Sequence, residues 1–348
     1  MARPSGIDKI SIRRRWCRVL AVLLALPCLL QATPADITAP PATPEKLTFG
    51  VLPLGGPAES LEAWQPFLDD MSATLKMPVR SFSVSSYQGL ARALGEHRVD
   101  VAFASGLLAL DAVAHDRMQV VAQLTRCDGS HGYYSLLLVR SDSPIRSLAD
   151  LYAQPGRWRL ARGETLSTSG YLVPETQVFA SRKLDSDTFF AQVMVNSHQN
   201  NALAVANGEA DIATNNSGDM ERFAQRFPEQ AARLRVLWKS SLIPHAVIIV
   251  RGDLPAELRQ AIADFITRYA KRGNHAPAEL ANLKLIHDIS GFSPASNATL
   301  EPLADITYTL ERRRALAAKW VDDDAMQAQL QRIDQDHRKL VEALEGRE

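Results

Sequence analysis

Cysteine is nearly absent from this chain of 348 residues, which has three: Cys17, Cys28 and Cys127. The first two fall in an N-terminal stretch that reads as a cleaved leader. Cys127 then stands alone, and no intrachain disulfide is expected even in an oxidising compartment. Cys, His and acidic residues nowhere show metal-ligand spacing, so neither a metal nor another cofactor is expected. There is no GxxxxGK[ST] phosphate loop and no GxSxG nucleophile elbow, which argues against a nucleotide-phosphate loop enzyme and an α/β-hydrolase. Excess charge of one sign is missing too, with 39 Lys and Arg against 39 Asp and Glu. Residues 1–32 hold six of the basic side chains and one of the acidic ones. The remainder, 33 basic and 38 acidic, is therefore mildly acidic, and a nucleic-acid partner is not expected. The longest apolar run, Val19 to Leu30, contains Pro27 and falls short of the roughly 20 residues of a membrane-spanning helix.

That run has a different use. Lys9, Arg13, Arg14, Arg15 and Arg18 precede it as a basic region, and Ala32 or Ala35 follows as a small residue for cleavage. Residues 1–32 thus read as a secretory signal peptide that is cleaved on export. A lipoprotein signal would want a small residue where Pro27 precedes Cys28. Residues 33–46, rich in Pro and Ala, read as a flexible linker.

From Lys46 onward the pattern is that of strands alternating with helices. Leu47 to Pro53 reads as a buried strand. Leu61, Trp64, Phe67, Leu68, Met71 and Leu75 then recur at helical spacing. Further strands are predicted at 79–84, 100–104, 120–124 and, longer, 132–139. A second α/β run follows, with strands at 158–161, 192–195, 211–214 and 234–238 and helices between them. Ala246 to Val250 returns as another long strand. The alternation predicts parallel-rich sheets. The two long strands that bracket the second run suggest two crossings between lobes. The expected architecture is an α/β chain folded as two lobes with a cleft between, lobe 1 from 47–139 and 246–320 and lobe 2 from 140–245. Residues 321–348 form a separate amphipathic helix. Its stripe of Met326, Leu330, Ile333, His337, Leu340 and Leu344 would suit either docking on the protein or a coiled-coil contact to a partner.

Ser167-Thr168-Ser169-Gly170 sits between a predicted strand and a predicted helix. Ser and Thr at a helix start satisfy its unpaired N–H groups, and the same N–H groups attract anions. The stretch is therefore either an ordinary N-cap or a neutral, donor-rich cradle for an oxyanion. Beyond it lie Asn196-Ser197-His198, Gly208-Glu209-Ala210-Asp211-Ile212-Ala213 and Ser240-Ser241-Leu242-Ile243-Pro244. The ordered set, from about Leu47 to Leu310, closely resembles the phosphate/phosphite/phosphonate periplasmic binding protein family of ABC importers.

The resemblance implies a type II, transferrin-like binding fold with two crossover strands, closing over a small tetrahedral oxyanion such as phosphite, phosphate or a phosphonate. It assigns the grip on the anion to Ser167, Thr168 and Ser169, with His198 as a further donor and Tyr133 and Tyr87 closing the site from the first lobe. It also implies delivery of the ligand to an ABC permease at the inner membrane by a monomeric, non-enzymatic protein. Two positions depart from the pattern. Members that take aminoalkyl phosphonates carry an acidic residue where Gly218 stands, and members often carry an Asp where His245-Ala246 stands. Without those carboxylates, 2-aminoethylphosphonate is not the expected preference, and His245 becomes a further candidate donor. A secreted sensor engaging a membrane signalling partner is a second reading. A hydrolase using Ser167 or Ser169 with His198 is a third, weakened by the lack of a base–orienter chain in the sequence.

Overall fold

The computed structural model of the protein describes residues 43–52, 57–130, 132–286 and 289–346. The segment expected to be a signal peptide, and most of the expected linker, lie outside them. In chain order the strands are β1 (Leu47–Val51), β2 (Val79–Ser83), β3 (Val101–Ala104), β4 (Met118–Arg126), β5 (Gly132–Tyr133), β6 (Ser135–Arg140), β7 (Arg159–Arg162), β8 (Gln192–Val195), β9 (Ile212–Asn216), β10 (Leu234–Lys239), β11 (Ile243–Pro244), β12 (Val247–Arg251) and β13 (Ile289–Pro294). They form a six-stranded sheet in the order β13-β4-β12-β3-β1-β2 and a five-stranded sheet in the order β10-β6-β9-β7-β8. A two-stranded ribbon, β11-β5, joins them. In the first sheet β1 runs parallel to β2 and β3, while β12 enters antiparallel between β3 and β4. In the second, β7 runs parallel to β8 and β9, and β6 runs antiparallel beside β9.

The hydrophobic patterning accounts for this layering. The Val-Ile-Ile-Val run of β12 is buried on both faces, as expected of a central strand covered by helices on either side. Trp64, Phe67, Leu68 and Met71 are buried on one face of helix Pro57–Leu75, where their rings pack on Phe49 and Phe103. Leu137, Val139, Leu160 and Ile212 begin a separate core under the second sheet, with Phe179 and Phe189. Among the described residues, no helix is long and apolar enough to cross a membrane.

Two of the expected boundaries need correction. The stretch 132–139 is not one long strand of lobe 1. It breaks at Tyr134, and Ser135–Arg140 hydrogen-bonds into the second sheet, so the crossing comes before residue 135 rather than at 139/140. The cause is a change of partners: Gly132 and Tyr133 pair with β11, whereas Ser135 onward pairs with β9. Nor does 246–320 belong to the first lobe alone. Helix Glu301–Ala317 buries Leu303 against the first lobe and Leu310 against Leu172 and Ala180 of the second. Its Arg313 donates to the Thr176 carbonyl at 2.6 Å. Arg314 donates to the Tyr171 hydroxyl at 2.7 Å and to Asp185 and Glu175 at 3.2 and 3.4 Å.

The C-terminal stripe docks on this bridging helix. In Asp323–Leu344, Leu330 and Ile333 are buried with Ala315, and the His337 ring stacks on Tyr308 with centroids 4.3 Å apart.

Glu175, buried beneath Arg314, has its carboxyl raised above the ordinary range, chiefly by desolvation. A raised carboxyl favours the folded state below its unfolded value, and that contribution is lost as pH rises through the folded one. Glu175→Gln is therefore expected to flatten the dependence of stability on pH above the unfolded carboxyl range. Denaturant titrations between pH 4 and 7 would show it, and an unchanged slope would contradict the assignment.

Candidate functional site

The stretch at 167–170 opens a helix running over 168–182 that is unusually wide. The Leu172 N–H reaches back to the Ser167 carbonyl, and the Val173 N–H to Thr168, both five residues away. Pro174 explains part of this, because it has no N–H to return to the Gly170 carbonyl. That carbonyl instead accepts from the Thr214 hydroxyl at 2.8 Å and from the Gly163 N–H at 3.1 Å. Ser167 caps the helix by accepting from the Gly170 N–H at 3.0 Å. Thr168 Oγ1 accepts the Leu107 N–H at 2.9 Å, a contact across the lobes that leaves its own proton available. Ser105 Oγ donates to the Leu166 carbonyl at 3.1 Å, and Glu164 accepts from the Tyr87 N–H at 3.0 Å, so the two lobes are closed on each other at this edge.

Five helix beginnings converge on the resulting cleft. They are Tyr87, Ser105 as the cap of Gly106–His115, Ser167, His198, and Asn216 as the cap of Ser217–Arg226. Each turns the positive end of a helix dipole toward the cleft, which favours an anion, although at Tyr87 the first N–H groups are already taken by the Glu164 carboxylate. All six residues singled out in the sequence line this one cleft: Ser167, Thr168, Ser169, His198, Tyr133 and Tyr87. The phenol of Tyr87 lies near the Ser167 hydroxyl, and that of Tyr133 near those of Ser169 and Thr168. Burial raises both phenols, with the Asp219 carboxylate adding to the effect, and Tyr133 is pushed up to about 12. Both therefore remain protonated donors well beyond the ordinary value of about 10. Tyr134, its neighbour in sequence, turns away and lies under the Lys239 ammonium at 3.5 Å from its ring centroid.

His198 is 5% exposed, with Nε2 3.4 Å from Ser169 Oγ and 3.9 Å from Asp219. Its Nδ1 is buried without a hydrogen-bond partner among the described residues. A nucleophile–base pair needs an acceptor behind the base to orient it. Here the carboxylate sits on the same side as the serine.

Three residues were missed in the sequence. Asp219 lines the cleft and accepts from Asn216 Nδ2 at 2.6 Å, so a carboxylate enters the cleft although Gly218 and His245-Ala246 supply none. The residue stands at the third position of a capped helix, where an acid reads as ordinary helix-start chemistry. Asn216 itself donates to Ser169 Oγ at 3.4 Å. Arg126, at the end of β4, enters the cleft from the first lobe. His245, the further candidate donor, lines it too, held at 3.3 Å from Ser130 Oγ and stacked parallel to Tyr133.

Residues 49–300 match the family described as the periplasmic substrate-binding protein of the phosphonate ABC transporter. The chain belongs to that family. It is 34% identical over 295 residues to the phosphonates-binding periplasmic protein of Escherichia coli K12, covering 83% of this chain and 86% of that one. The crystal structure of a binding-protein component of an ABC phosphonate transporter from Pseudomonas aeruginosa superposes with a TM-score of 0.79 at 31% identity, over 87% of this chain and 98% of that chain. A methylphosphonate complex of a Prochlorococcus marinus binding protein shares the fold, with a TM-score of 0.66 at 19% identity, over 77% of this chain and 99% of that chain. Membership bears out the resemblance read in the sequence and the type II α/β fold expected from it. A family of this kind works in the periplasm, with a small ligand and a membrane permease as partners.

Proposed function

We propose that the cleft captures a small phosphorus oxyanion, a phosphonate first among them, and delivers it to the permease of an ABC importer. The observation that carries this reading is the convergence of five helix beginnings on the hydroxyls of Ser167, Thr168 and Ser169 and the phenols of Tyr87 and Tyr133. Neutral donors of this kind hold an anion tightly when desolvated and discriminate by the number of hydrogen bonds they can make. His198 supplies a further donor. Asp219 beside it accepts the remaining proton of a P–OH group, which a fully ionised sulfonate does not have.

A thermal-shift screen of the mature protein against phosphate, phosphite and methylphosphonate tests the reading, with methanesulfonate as the control. A cognate ligand at 100 times its dissociation constant stabilises by about 2.7 kcal/mol. At least one phosphorus anion is expected to raise the melting temperature while methanesulfonate does not. No shift with any phosphorus anion would refute the proposal.

A further inference from the structure

Beyond the oxyanion cradle the same cleft has a second, cationic pole. Arg126, with 13% of its side chain exposed, and His245, 5% exposed, both line it. Glycine at 218 leaves room for the guanidinium: a Cβ at that position would lie 2.7 Å from Arg126 Nη1. The same point lies 3.5 Å from Asn216 Oδ1, while the other end of that amide is 3.4 Å from Ser169 Oγ. A single asparagine side chain thus separates the guanidinium from the hydroxyl cradle.

We propose that the phosphonate bound here carries an anionic substituent, a carboxylate received by Arg126 with His245 beside it. This rests on the reading of the cleft as a phosphonate site. A planar guanidinium pairs bidentately with a carboxylate, a match that an ammonium cannot make. One counter-ion of Arg126 is Glu221, at 2.6 Å, whose own side chain is 59% exposed. An ion pair with so exposed a partner is worth little, whereas a ligand carboxylate inside the cleft would meet the guanidinium shielded from water. Asp219 stands beside His198 at the oxyanion end, where it accepts the P–OH proton, so it faces the phosphonate group rather than a substituent near Arg126. A cationic substituent placed near Arg126 meets like charge, which is how binding sites commonly reject a close analogue.

Calorimetry with phosphonoacetate, methylphosphonate and 2-aminoethylphosphonate tests the inference. Phosphonoacetate is expected to bind about tenfold or more tighter than methylphosphonate, the yield of one hydrogen-bonded charge pair, and 2-aminoethylphosphonate the weakest of the three. In Arg126→Gln the ratio between phosphonoacetate and methylphosphonate is expected to fall to about one. Gly218→Glu, which displaces the guanidinium and adds a carboxylate, is expected to reverse the order in favour of 2-aminoethylphosphonate. Wild-type protein that binds methylphosphonate as tightly as phosphonoacetate, or an advantage that survives Arg126→Gln, would overturn the second pole and leave the cradle standing. Failure of all three ligands to bind would overturn the cradle reading, and this inference with it.

Discussion

Gly170→Ala is expected to weaken oxyanion binding by about a hundredfold or more, the largest effect of any single methyl added to the cleft. A Cβ at residue 170 would lie 2.7 Å from Ser167 Oγ, 2.9 Å from Gly163 Cα and 3.1 Å from His198 Cε1. None of these neighbours is a flexible side-chain end. Gly163 is backbone, held by its N–H to the Thr214 hydroxyl at 3.1 Å, and Thr214 in turn holds the Gly170 carbonyl. Ser167 Oγ is the cap of the wide helix, and the imidazole of His198 is buried against it. The strain is relieved by moving the helix start away from β7 and β9, which displaces two donors of the cradle together. Overpacking of this kind also costs about 1–3 kcal/mol of stability. Titration calorimetry with the tightest-binding of phosphate, phosphite and methylphosphonate measures the first effect, and thermal unfolding the second. A folded variant with wild-type affinity would contradict the geometry described for the cradle.

The next largest effect is expected at Thr168. Its hydroxyl accepts the Leu107 N–H across the lobes and keeps a proton to donate into the cleft. Thr168→Ala removes both bonds and is expected to cost about 1–3 kcal/mol of binding, the value of a hydrogen bond to a charged group. Because the lost acceptor lies on the opposite lobe from Leu107, the variant should also populate a more open form, visible as a larger radius of gyration in small-angle scattering with ligand present. Thr168→Ser keeps the hydroxyl and is expected to restore most of the affinity. An alanine variant that binds as well as the serine variant would show that the hydroxyl takes no part.

The sequence was most legible where one local signal had one structural use. The Val-Ile-Ile-Val of β12 could only be a strand buried on both faces, and it is central in the first sheet. The Ser-Thr-Ser run stood between a strand and a helix, the one place where hydroxyls and free N–H groups coincide. His198 followed Ser197 at another helix start and arrives in the same cleft.

Legibility failed where function depends on where distant segments meet. Arg126 lies just beyond the predicted strand 120–124 and carries no local signal, and only lobe closure brings it beside Gly218. Asp219 read as an acid in the first turn of a helix, a position many acids occupy for the dipole alone. The break at Tyr134 escaped notice because the apolar runs on either side of Ser135 look like one strand, while the exchange of partners from β11 to β9 leaves no local trace. The bridging role of helix Glu301–Ala317 was hidden for the same reason. Its two apolar faces serve two lobes, and periodicity alone does not say which surface each face meets.

A crystal structure of the mature protein grown with methylphosphonate would test the central claim most directly. The phosphonate oxygens are expected within hydrogen-bonding distance of the hydroxyls of Ser167, Thr168 and Ser169, with Tyr133 and His198 completing the shell and the methyl group turned toward Arg126. A ligand seated elsewhere in the cleft, or making no bond to any of the three hydroxyls, would contradict it.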